Sequence, residues 1–98
     1  MKILRWQAGA RGDLAKIIDH FSENDPLVAD TLLDRIQHAA SALAKRETGR
    51  PGRMLGLREK SVAGTKYILA YRVTEKQIVI LRVIHAAQNW TQRNWPKG

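Results

Sequence analysis

The chain predicts an α+β fold in the order strand, helix, helix, strand, strand, strand. Three observations predict it. Apolar residues recur at helical spacing from Ala10 to Phe21 and again from Ala29 to Leu43, with Asp25-Pro26 between the two runs. The last third of the chain holds β-branched and aromatic runs joined by very short polar links. A short apolar segment, Ile3 to Trp6, precedes them all. Helical and strand periodicity thus occupy separate blocks, as in a domain that segregates its helices from an antiparallel sheet.

Each element has a local reason. Ile3 to Trp6 is the first strand. Gln7 to Gly12 contains two glycines, each about 1 kcal/mol worse than alanine in a helix interior. The first helix is therefore expected to firm up only around Ala10 to Asp13. Ala10, Leu14, Ile17, Ile18 and Phe21 make its apolar stripe, and Asp13 is expected near its positive end. Asn24-Asp25-Pro26 stops this helix and starts the next, Asp25 as N-cap and Pro26 in the first turn. Ala29, Leu32, Leu33, Ile36, Ala40 and Leu43 share one face of the second helix, which should fade near Lys45 to Gly49. So short a link makes the two helices antiparallel neighbours.

Arg46 to Gly56 holds three glycines, one proline and three arginines. It reads as a mobile basic loop, either a target-binding loop or a solvated link. Leu57 to Val62 is a weaker strand, Lys66 to Val73 and Gln77 to His85 stronger ones. Ala63-Gly64-Thr65 and Thr74-Glu75-Lys76 are tight enough to make these three an antiparallel meander. Ala86 to Gly98 is a polar tail carrying two tryptophans, with room for one helical turn before Pro96.

Ninety-eight residues, 44% of them hydrophobic, suit one globular domain over residues 1–98. There is no cysteine, hence no disulfide, thiolate metal site or thiol nucleophile. The N-terminal MKILRWQAGARGDL lacks the apolar core of a signal peptide. No apolar run approaches the ~20 residues that span a bilayer. A cytoplasmic protein with no membrane partner and no cofactor is expected. The net charge of +8 and the pI of about 10.5 draw such a chain to nucleic acid, ribosomes or an acidic protein.

The strand Ile78 to Ile84 is apolar on both sides. Strict alternation sends Val79, Leu81 and Val83 one way and Ile78, Ile80 and Ile84 the other, with Arg82 among them. A helical hairpin covers only one face of a small sheet. The second face is covered either by the N-terminal strand and the tail, which offer Trp6, Trp90 and Trp95, or by a separate protein.

Of the three histidines, His20 and His38 fall on helices and His85 ends a strand, none at metal-ligand spacing from another. His85 is either a general base or a hydrogen-bonded turn residue. A metal-free ribonuclease needs a group to take the 2′-hydroxyl proton and cations around the phosphorane. Arg58, Arg72 and Arg82 offer cations, and Tyr67, Tyr71 and Trp90 offer rings for base stacking. The competing reading pairs these arginines with Glu59 or Glu75 at strand edges.

An ordered set of segments resembles the ParE/RelE superfamily of type II toxin–antitoxin toxins, the plasmid-stabilisation type. The segments are Ile3 to Trp6, Ala10 with Asp13-Leu14, Asp25-Pro26, Gly49-Arg50-Pro51-Gly52, Leu57-Arg58-Glu59, Tyr67-Ile68 with Tyr71-Arg72-Val73, Ile80 to His85, and Gln88 with Trp90. The resemblance spans nearly the whole chain and implies a β-α-α-β-β-β fold, the helical hairpin on one face of a small twisted antiparallel sheet. It also implies a cognate, often acidic antitoxin whose disordered segment folds on the toxin, covering Tyr71, Ile80 and their neighbours. RelE-like members cleave mRNA on the ribosome; ParE-like members inhibit DNA gyrase. RelE-like toxins carry an arginine after the aromatic of the third strand, where Ile68 stands here. They carry lysine and arginine after the last strand, where Ala86-Ala87 stands here, and the tail has Arg93 but no tyrosine. The likeness is therefore closer to ParE, a non-enzymatic gyrase inhibitor. The alternative is a metal-independent, RelE-like mRNA interferase, with Arg72, Arg82 and His85 as catalytic candidates. Residues expected to meet target or antitoxin are Arg58, Tyr67, Tyr71, Arg72, Ile80, Arg82, His85, Gln88 and Trp90.

Overall fold

A computed structural model describes residues 1–54 and 56–88. The tail segment carrying Trp90 and Trp95 lies outside the described residues. The elements are β1 (Ile3–Trp6), α1 (Ala8–Ser22), α2 (Pro26–Lys45), β2 (Arg50–Pro51), β3 (Arg58–Ser61), β4 (Tyr67–Val73) and β5 (Gln77–His85).

α2 begins where its cap residues place it. The Asp25 carboxylate accepts from the Val28 N–H at 3.3 Å, and Pro26 occupies the first turn; such a cap is worth about 1 kcal/mol. α1 starts earlier than its glycines suggest, at Ala8. Gly9 is the reason: a Cβ there would stand 3.1 Å from the Arg82 Cδ and 3.2 Å from the Leu81 carbonyl oxygen. The missing side chain lets the first turn of α1 lie directly on β5, and that contact compensates for weak helix propensity.

The five strands lie in the order β1-β5-β4-β3-β2. β2 through β5 pair antiparallel, whereas β1 runs parallel to β5, Ile3 opposite Gln77 through Trp6 opposite Ile80. The sheet is therefore mixed. Short links fix the meander, but β1 finds a partner seventy-odd residues away through long-range contacts: Lys2 N–H donates to Ala44 O and Ile3 N–H to Lys76 O.

A β-bulge corrects the simple alternation expected for β5. Ala70 faces Arg82 and Tyr71 faces Ile80, so Leu81 is an extra residue with no partner on β4. A bulge exchanges the two faces of a strand beyond it. Ile78 and Ile80 before the bulge and Val83 after it thus share the helix-covered core with Leu69, Tyr71, Ile36 and Leu43. Val79, Arg82 and Ile84 fall on the second face. At the centre of that face Ile68, Ala70, Val79 and Ile84 are buried, and Met54 packs on Ala70 and Ile84, while Ile3 at the β1 edge is exposed.

Candidate functional site

The expected site residues divide into three groups by what holds them. The first lies at the edge of β5. β1 pairs with β5 only as far as Ile80, which leaves the backbone beyond it without a strand neighbour on that side. α1 closes the gap: Gln7 N–H donates to Ile80 O at 2.9 Å, and the Asp13 carboxylate accepts from Val83 N–H at 2.8 Å. The same carboxylate grips Arg82 through two bonds, Nε to Oδ2 at 2.9 Å and Nη2 to Oδ1 at 2.7 Å. Both side chains are nearly enclosed, 12% and 11% exposed. Asp13 therefore does not sit at the helix terminus as expected; it terminates a sheet edge. Arg82 pairs with neither Glu59 nor Glu75.

The second group ties down the arginine-rich loop. Glu47 accepts from Gly49 N–H at 2.7 Å and from the Tyr71 hydroxyl in a short hydrogen bond. Arg58 donates from Nη2 to Gly49 O at 2.5 Å, and its Nε lies 3.0 Å from Glu47 Oε1 without hydrogen-bond alignment. A Cβ on Gly49 would overlap the Tyr71 hydroxyl, so glycine is required for this approach. Burial alone would raise the Glu47 carboxyl; the Tyr71 hydroxyl, the Gly49 N–H and Arg58 outweigh it and hold the carboxyl below its ordinary range. Burial, then the bond to Glu47, pushes the Tyr71 phenol up to about 12. Further along, Glu59 is 3% exposed and accepts from Arg53 N–H at 2.7 Å, with Arg50 at 3.5 Å and Arg53 at 3.9 Å as ion partners. The loop expected to be mobile is pinned at both ends by buried or half-buried carboxylates.

The third group is the turn after β5. His85 N–H donates to the Gln88 side-chain oxygen at 3.0 Å, and Gln88 N–H returns to His85 O at 2.9 Å. The His85 ring accepts from Ala87 N–H at Nδ1, 3.1 Å away, and meets the Tyr67 ring edge-on at 5.4 Å. With Nδ1 accepting, the neutral ring carries its proton on Nε2. It then presents a donor rather than a base. Of the two roles open to His85, this geometry favours the turn residue.

Two expected contact residues are corrected outright. Tyr71 and Ile80 are 0% exposed within the helix-covered core, where they stand opposite each other on β4 and β5. Neither presents a side chain to a partner. Tyr67 is half-buried on the same face. Gln88 is exposed and Trp90 lies outside the described residues. Of the arginines first singled out, Arg72 alone is exposed without a hydrogen-bonding or acidic partner among the described residues.

Three functional candidates were missed in sequence. Arg5 is exposed on the second face, in register with Val79, which is itself in register with Arg72. The alternation Ile3-Leu4-Arg5-Trp6 carried that signal. Arg50 on β2 extends the same face, opposite Glu59. A groove of about 730 Å³ between α2 and β3, lined among others by His38, Ala39, Ala42, Lys60 and Ser61, had no linear signature. Charge is segregated as well. Twelve of the seventeen Lys and Arg, but three of the nine acids, lie in residues 45–98, the part that builds most of the sheet.

A helical hairpin packed on a five-stranded mixed sheet is an architecture found in solved toxin–antitoxin structures. The chromosomal ParDE toxin–antitoxin system from P. aeruginosa matches with a TM-score of 0.77 and 29% identity, over 87% of this chain and 96% of that one. A chain of the toxin–antitoxin complex RelBE2 from Mycobacterium tuberculosis matches at 0.60 and 28%, over 86% and 96%. A YafQ mutant from E. coli shares the fold at 0.57, with 14% identity over 89% and 96%. Among curated relatives, "Putative toxin Y4kP" of Sinorhizobium fredii is 38% identical over 92 residues, 93% of this chain and 95% of that protein. The family model for the ParE toxin of the type II toxin–antitoxin system parDE matches residues 4–90, and the chain belongs to that family.

Proposed function

We propose that this toxin acts by binding DNA gyrase rather than by cutting RNA, and that a cognate antitoxin neutralises it in the cytoplasm. One observation carries the choice: the side chains that would have to serve a nuclease are already engaged in holding the fold. Arg82 is bound by Asp13, and the accepting nitrogen of His85 is taken by Ala87. Arg72 by itself supplies neither a base nor a phosphorane cage. No helix among the described residues is long and apolar enough to cross a membrane.

An antitoxin is supported by the toxin–antitoxin descriptions of the ParDE and RelBE2 structures. Since Tyr71 and Ile80 are buried, its segment is better seated in the groove between α2 and β3, which meets at Thr31 and Arg35 a second depression lined by the exposed Leu27 and Val28. Amide exchange at β3 should slow on binding; unchanged exchange there places the antitoxin elsewhere.

The deciding experiment is a gyrase supercoiling assay with antitoxin-free protein, beside a ribosome-programmed mRNA cleavage assay. Blocked supercoiling with intact mRNA is the expected result. Cleaved mRNA with unaffected gyrase overturns the proposal.

A further inference from the structure

Among the described residues, the second face of the sheet exposes mainly arginines, with Ile3 and Ser61 beside them. Arg5 on β1 and Arg72 on β4 flank Val79 in register, both exposed. Arg50 on β2 lies at the far side of the same face, opposite Glu59. Four interstrand spacings separate β1 from β2, so the stripe from Arg5 to Arg50 spans about 19 Å. Arg50 and Arg53 share the single charge of Glu59, so that end of the stripe stays net positive.

We infer that this face binds the phosphate backbone of duplex DNA directly, without gyrase. Three features select that ligand. The cations are arginines, whose planar forks match phosphate oxygens two at a time. The apolar residues at the centre of the face, Ile68, Ala70, Val79 and Ile84, are buried, and Ile3 at its β1 edge is the exposed one among the described residues, which leaves a protein partner no central apolar anchor of the kind that dominates interfaces. Among the described residues no aromatic ring lies on this face: Trp6, Tyr67 and Tyr71 all pack in the helix-covered core. Single-stranded nucleic acid depends on such rings for stacking, whereas a duplex offers its backbone without them. Binding of this kind is sequence-independent and sensitive to salt.

The test is a fluorescence anisotropy titration of the full chain, free of antitoxin, with a labelled duplex of about 20 base pairs at a series of salt concentrations. Two or three phosphate contacts give a log–log salt slope near −2 to −3. Arg5→Gln and Arg72→Gln should each reduce its magnitude by about one, and the double variant should weaken binding at least tenfold at low salt. Arg11→Gln and Lys16→Gln, exposed positions on α1, should leave it unchanged. Far-ultraviolet dichroism of each variant checks that the fold is retained. Absence of saturable binding at low salt overturns the inference, as does binding that both sheet variants leave intact. Tenfold preference for a single-stranded RNA of equal length also overturns it, and so does binding of a polyglutamate peptide in place of the duplex. No gyrase is present in this titration, so its result stands apart from the supercoiling assay.

Discussion

Arg82 and Arg72 occupy the same face of one sheet, on adjacent strands, yet they live in different environments. Arg82 is enclosed and gripped at two points by Asp13; Arg72 is exposed. The residue type is identical, so the difference lies in the backbone around it. Arg82 directly follows the bulged Leu81, where β5 has lost its β1 neighbour and α1 presses its glycine-bearing first turn against the strand. Arg72 sits in regular pairing opposite Val79, with no helix above it. An arginine beside a helix-covered edge becomes architecture, while one on an open face remains available for binding.

The largest expected effect breaks the first half of that contrast. Removing one partner from a nearly enclosed ion pair leaves the other uncompensated, at a cost of about 3–5 kcal/mol. Asp13→Ala should approach the upper end, because Val83 N–H loses its acceptor as well. Equilibrium unfolding in urea measures this, and a loss below about 1 kcal/mol would show the pair to be effectively solvated.

A smaller effect probes the loop lock, which ties a second arginine, Arg58, into the fold. Tyr71→Phe removes one hydrogen bond to a charged acceptor and should cost about 1.5–3 kcal/mol. Its pH dependence has two signs. The Glu47 carboxyl is held below its ordinary value of 4.5, so its stabilisation is full above that value and fades as pH falls through the lower folded value. The Tyr71 phenol moves from 10.0 to about 12, so its stabilisation is present below pH 10 and fades between 10 and 12. Glu47→Gln should flatten the acid limb of the unfolding midpoint against pH. An acid limb identical to that of the parent chain would place the lock outside the folding equilibrium.

The smallest effect is expected on the open face. Arg72→Ala should change stability by no more than about 0.5 kcal/mol, as at an exposed site without partners. A larger loss in the same urea titration would mean that Arg72 is structural after all, and the contrast with Arg82 would vanish.

Much of the frame was legible because it depends on local chemistry. Asp25-Pro26 starts α2, and β5 spans Gln77 to His85, where its β-branched run predicts it. What was not legible depends on single positions whose partners are far away in sequence. One extra residue, Leu81, reverses the facing of everything after it, and nothing in IVILRVI announces it. Asp13 and Arg82 are 69 residues apart, so no spacing rule connects them. The role of Glu47 depends on Gly49 having no side chain and on a tyrosine 24 residues downstream. Tyr71 and Ile80 were expected to meet the antitoxin on the strength of the family resemblance, and they lie inside the core instead.

The parallel pairing of β1 with β5 has a consequence in time. Lys2 anchors its ammonium on Thr74 O and Glu75 O, 72 and 73 residues away. β1 thus has no strand partner until β5, some seventy residues later in the chain, has been made. Contacts of such long range form late and slowly. The sheet of the nascent chain is therefore unfinished until β5 has emerged, which leaves an interval in which the edge of β1 is open to other contacts.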